Sequence, residues 1–227
     1  MRPVLLALLL LGACAGEPGQ PDLAGPAAIR ELDRMKDMDA RRDWAGLAAV
    51  NLSDCAGPRD SVCAERHALK ARGCANMAAG ANLSETARRA FLDCAVDSSR
   101  AALAAAEATP AMERDAWRMA HASALFTRRQ ARPGGEICLD NTPLLAEAER
   151  LQAADPAAPR PRFLAASAKL TAVTRNCDPA SSAAARCEQL AAARLLLRNP
   201  PADVATEWRS LTAGVDSAAR RLSCRIA

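Results

Sequence analysis

The chain has 227 residues, with 30 Lys and Arg set against 26 Asp and Glu, for a formal net charge of +4. A balance this mild and evenly spread offers no basic face, so a nucleic-acid partner is not expected. Half of the residues are hydrophobic, yet alanine dominates them, aromatics are 3% and tyrosine is absent. Alanine is the best helix former and loses no side-chain entropy, so closely packed helices are expected and sheets are not.

The N-terminus opens on Met1-Arg2, followed by an aliphatic run from Val4 to Leu11, the small pair Gly12-Ala13, and Cys14. A charged start, a short apolar run and small residues before a cut site make a secretory signal too short to span a bilayer. Leu11-Gly12-Ala13-Cys14 resembles the lipobox of bacterial lipoproteins, which are cut just before that cysteine. The resemblance implies a signal peptide over 1–13, a diacylglycerol on the Cys14 sulfur and a fatty acid on its new amino group. It also implies, through the neutral Ala15, export to the outer membrane, with the domain facing the periplasm. Residues 15–26 hold three prolines and three glycines without apolar periodicity, which predicts a flexible tether from Cys14 to a helical domain over 27–227.

From Ala27 onward, helical patterns alternate with breakers. Ile29, Leu32, Met35 and Met38 or Asp39 mark one face of a first helix, and Asp43 is placed to cap a short second one, Trp44 to Val50. A third helix is expected over 62–79, ending at Gly80. Asn82 and Glu85 have capping-box spacing, opening a long helix with an inner stripe of Ala87, Phe91, Cys94, Ala95, Ser98 and Ala102. Thr109-Pro110 starts the next, with an inner stripe of Met112, Ala116, Met119, Ala120, Ser123 and Ala124, and Arg132-Pro133-Gly134-Gly135 stops it. Thr142-Pro143 repeats that start signal. Helices over 163–174, 181–197 and 202–224 follow, about nine in all, forming hairpins with no convincing strand.

The stretch Gly73-x6-Gly80-x6-Ala87-x3-Phe91-x2-Cys94 resembles the small/large spacing of a tetratricopeptide repeat. Trp44-x2-Leu47 and Trp208-x2-Leu211 resemble its Trp-x2-Leu start. The match is degenerate and the period irregular. The fold it implies is all-α, a tetratricopeptide-like solenoid of helical hairpins, with an irregular helical bundle as the alternative.

Nine cysteines leave an even eight after Cys14, which in an exported chain reads as paired thiols. Eight cysteines allow about a hundred pairings. A hairpin brings together positions equidistant from its turn, within the ~4.4–6.8 Å that a disulfide requires between Cα atoms. Cys55 with Cys63, Cys74 with Cys94 and Cys177 with Cys187 meet that condition about Arg59, Ser84 and Ser182. Cys138 then falls to Cys224.

Signals for chemistry are sparse. No Cys-x-x-Cys, Gly-x-Ser-x-Gly, His-Glu-x-x-His or phosphate-cradling loop occurs, and Asp140-Asn141 does not continue into a calcium loop. No catalytic activity, metal or cofactor is expected. Candidate binding groups are Trp117 and His121, which share a helix face with Leu125, and the cluster Arg128, Arg129 and Arg132, which suits either the helix dipole or an anionic partner. Trp44, Trp117 and Trp208 read as core anchors between helix pairs, with hot spots on a binding surface as the alternative. The expectation is a lipid-anchored, non-catalytic scaffold that binds another envelope protein. The alternative is a carrier for an apolar small molecule such as a fatty acid, sterol or hopanoid.

Overall fold

The computed structural model describes residues 25–202 and 205–225. Cys14, the tether before Gly25 and the signal segment lie outside them. The described residues form nine α-helices and no strand: α1 (Pro26–Ala40), α2 (Trp44–Ala49), α3 (Ser61–Ala78), α4 (Glu85–Ala104), α5 (Ala111–Ala131), α6 (Ile137–Ala154), α7 (Pro159–Thr174), α8 (Ala183–Leu196) and α9 (Ala205–Arg221). None is long and apolar enough to cross a membrane.

Side-chain caps set several starts. Asp43 accepts the Gly46 N–H, Asp60 that of Cys63, Ser84 that of Ala87 and Ser182 that of Ala185, each satisfying one orphan donor. The cap of α4 is therefore Ser84 rather than Asn82. Thr109 does not cap α5; it is buried one residue before Pro110, which occupies the cap position.

The start expected at Thr142-Pro143 is also corrected: α6 begins at Ile137 and runs through Pro143. Proline has no N–H for the Leu139 carbonyl, a cost softened because Leu139 is on the outside of the helix. The turn before the proline is held by Asp140 and Asn141, both 1% exposed and bonded to α5.

Each helix packs against the one before it. Substantial contacts join only helices one or two apart in the chain, among the described residues. Three apolar clusters follow one another along this array. Leu32, Met35, Leu47, Val50 and Leu69 join α1, α2 and α3. Leu125, Leu144, Leu151 and Leu164, with small residues from Cys74 to Ala168, fill the middle. Leu190, Trp208 and Val215 anchor the C-terminal end. Each buried leucine contributes roughly 1.5–3 kcal/mol, so a few large side chains carry cores otherwise made of alanine. Phe163 links the last two clusters, 6.0 Å from the Phe126 ring and 5.8 Å from that of Trp208.

All eight cysteines among the described residues are paired. Cys55–Cys63 and Cys74–Cys94 have Cα separations of 5.5 and 5.9 Å, as the hairpin spacing predicts. The other two bridges correct the expected pairing: Cys138 joins Cys177 and Cys187 joins Cys224, each at 5.3 Å. The reason is which turn they straddle. Cys138 and Cys177 are equidistant from the α6–α7 turn at Ala157-Ala158, so the open end of that hairpin brings them together. In the same way α9 returns along α8 and delivers Cys224 to Cys187 at the start of α8.

Candidate functional site

The helix faces do not all lie where periodicity puts them. On α5 the buried residues are His121, Ala122, Ala124, Leu125 and Arg129, while Met112 is 85% exposed and Ala116 and Ala120 are open to solvent. The expected inner stripe is thus rotated. The bulkier face carrying His121 and Leu125 packs inward, because it buries more area than a row of alanines. The alanine row is left facing open space.

That space is a groove of about 780 Å³. Its walls are Ala116, Ala120 and Ser123 of α5 and Ala68, Ala75 and Ala78 of α3. The floor comes from α4, through Leu92, Ala95 and Ala102. Alanines recur at spacings of three and four along α3 and of four along α5, so each helix presents a strip of methyl groups. Small side chains on facing helices leave a channel between the backbones where leucines would have closed it.

The rim is charged, and most of its charges are paired within the chain. Lys36 of α1 lies 2.9 Å from Glu65, and Arg72 donates to Asp39 at 2.6 Å. Arg88 donates to the Gly80 carbonyl at 3.1 Å. The groove therefore offers an apolar floor between charges of both signs.

Of the candidate residues, Trp117 lines this groove and is half-buried. His121 does not: it is buried, and its Nδ1 lies 2.8 Å from Ser99 Oγ. That hydroxyl already donates to the Ala95 carbonyl at 2.7 Å, so the imidazole N–H is the donor to it. Burial, with Arg100 and Arg128 nearby, pushes the His121 pKa down to about 4.

The three arginines are occupied internally. Arg128 and Arg132 both donate to Asp140, at 2.6 Å each. Arg129, 5% exposed, donates to Asn141 Oδ1 and Ser167 Oγ, also at 2.6 Å, and its guanidinium lies 5.1 Å from the centre of the Phe126 ring. Burial brings the Arg129 pKa down to about 10, which leaves it charged at neutral pH. This network binds α5 to α6 and α7 rather than presenting an anion site. Similarly, Arg162 caps the end of α8 by donating to the Leu196 carbonyl at 3.0 Å.

Of the other tryptophans, Trp208 is 2% exposed and its indole N–H donates to the Leu197 carbonyl at 2.6 Å, while Trp44 packs on the α1–α3 cluster. The groove itself was not evident from composition. Its signal was the row of small residues Ala116, Ala120 and Ser123 on α5. No protein-family model matches the chain, and comparisons with characterised proteins and with solved structures find no match.

Proposed function

We propose that this chain is a lipid-anchored protein of the bacterial envelope, facing the periplasm. In this reading its tetratricopeptide-like array holds an amphipathic helix of another envelope protein in the α3–α4–α5 groove. The observation that carries it is the pair of alanine strips, on α3 and α5, facing across open space with charges at the rim. Small residues let a docked helix approach closely, and a mixed-sign rim suits the polar flanks of an amphipathic segment. Contacts confined to helices one or two apart support the solenoid reading. Complete pairing of the eight downstream cysteines supports an oxidising compartment, and with it export through Cys14.

The test is site-specific photocrosslinking in intact cells. A photoreactive phenylalanine analogue at Ala120, inside the groove, is expected to form a discrete protein adduct. The same group at Leu195, 57% exposed on α8, is expected to form none. Absence of an adduct at Ala120 overturns the reading. Labelling with radioactive palmitate tests the anchor: label is expected on the mature protein and lost in Cys14→Ala.

A second reading, an apolar small-molecule carrier, is favoured by the groove volume, which falls within the several hundred Å³ typical of small-molecule sites. Mass spectrometry of an organic extract of the purified full chain separates the two, since only a carrier brings down a lipid or sterol in stoichiometric amount.

A further inference from the structure

Away from the groove, at the start of α3, Cys55, Cys63 and His67 bring two sulfurs and one imidazole nitrogen within 4.8 Å of one another. Cys63 and His67 are four residues apart on one helix, so their side chains share a face. Cys55 reaches them from the α2–α3 loop, tied to Cys63 by the bridge that closes the shortest loop of the four, eight residues.

His67 is only 7% exposed, and its two nitrogens are used unequally. Nε2–H donates to the Ser53 carbonyl at 3.2 Å. Nδ1 is therefore the lone-pair nitrogen, and it is buried without any hydrogen-bond partner. A buried acceptor with no donor costs about 1–3 kcal/mol. Holding one imidazole N–H on a backbone carbonyl is also how proteins orient the opposite nitrogen toward a metal.

We propose that these three residues form a redox-gated site for a thiophilic d¹⁰ cation, Zn(II) or Cu(I). In the oxidised protein the sulfurs are consumed by the disulfide. A dithiol reductant supplies two electrons and two protons, splitting the Cys55–Cys63 bond to two thiols while becoming a disulfide itself. Binding of the cation then releases the two thiol protons, leaving two thiolates and the His67 Nδ1 lone pair as ligands. This Cys₂His set suits a soft cation and leaves a fourth tetrahedral position open. A tetrahedral ion with bonds of ~2.3 Å holds two sulfurs roughly 3.8 Å apart, within reach of side chains whose Cα atoms are 5.5 Å apart.

The test uses cobalt(II) as a spectroscopic stand-in for zinc, with the full chain reduced by a phosphine under argon. Reduced wild type is expected to show a sulfur-to-cobalt charge-transfer band at one equivalent, and the oxidised protein none. Cys55→Ser/Cys63→Ser, reduced identically, keeps every other cysteine and is expected to lose the band. His67→Ala is expected to weaken binding at least ~10-fold. A band of equal strength in the double serine variant, or none in reduced wild type that retains its helical circular dichroism, overturns the proposal. If reduction abolishes the helical signal, a chain carrying only Cys55 and Cys63, with the other seven cysteines replaced by alanine, is titrated instead. Failure of that variant to bind also overturns it.

Discussion

Gly73 of α3 lies so close to Leu47 of α2 that a Cβ added to it would meet the Leu47 Cβ at 2.5 Å and the Ala48 backbone nitrogen at 2.9 Å. The six-residue α2 is thereby pressed flat against α3, and the α1–α3 core closes over Leu47, which is fully buried.

Gly73→Ala sets two effects against each other. Alanine favours the helix by about 1 kcal/mol, but overpacking against a backbone that must move costs about 1–3 kcal/mol or more. A net loss of about 1–2 kcal/mol is expected, read as a lower urea midpoint with an unchanged slope. Gly134→Ala, whose added Cβ meets nothing nearer than Arg175 at 4.0 Å, is the control and should leave the midpoint in place.

Asp140 is the shared acceptor of Arg128 and Arg132 and is 1% exposed. Removing one member of a buried pair costs about 3–5 kcal/mol, less where the remaining charges reach water. Both guanidinium groups do, being 14% and 22% exposed. Asp140→Asn is therefore expected to cost about 2–3 kcal/mol, seen as a fall in melting temperature. No change would mean that the network does not hold α6 to α5.

The buried His121 links stability to pH. Its pKa is near 4 in the folded chain against an ordinary value of 6.5. Above pH 6.5 neither state binds the proton and the histidine has no pH effect. As pH falls below that, the unfolded chain takes it up first and stability is lost, reaching about 3 kcal/mol near pH 4. His121→Gln should remove this part of the acid dependence. The difference between the two proteins in urea midpoint, measured from pH 7 to pH 4, isolates it from the carboxylates.

Peptide mapping without reduction should find Cys138 joined to Cys177 and Cys187 to Cys224. Fragments joining Cys177 to Cys187 would contradict the hairpin packing of α6 on α7. Closing a loop of 39 residues stabilises by about 3–4 kcal/mol in the chain-entropy view. Cys138→Ser/Cys177→Ser should lower the thermal midpoint accordingly.

Much of the local structure was legible in the sequence. Asp43 announces α2 and Gly80 follows the end of α3, because caps and breakers act within a few residues of themselves; α7 starts at Pro159, four residues before the expected 163, with Pro161 inside its first turn. Cys55–Cys63 and Cys74–Cys94 were legible for the same reason, each straddling a single turn. The α6 start was not, since Pro143 is a strong local signal and what overrides it is Asp140 and Asn141 binding arginines of another helix.

By itself the sequence determined helicity and most turn positions, both of which depend on neighbours along the chain. Only the tertiary structure decided which face of α5 points inward, which turn Cys177 spans, and that Arg128, Arg129 and Arg132 are satisfied from within. Those outcomes depend on residues far away in the chain, where total buried area and paired charge outweigh the pattern of any one helix.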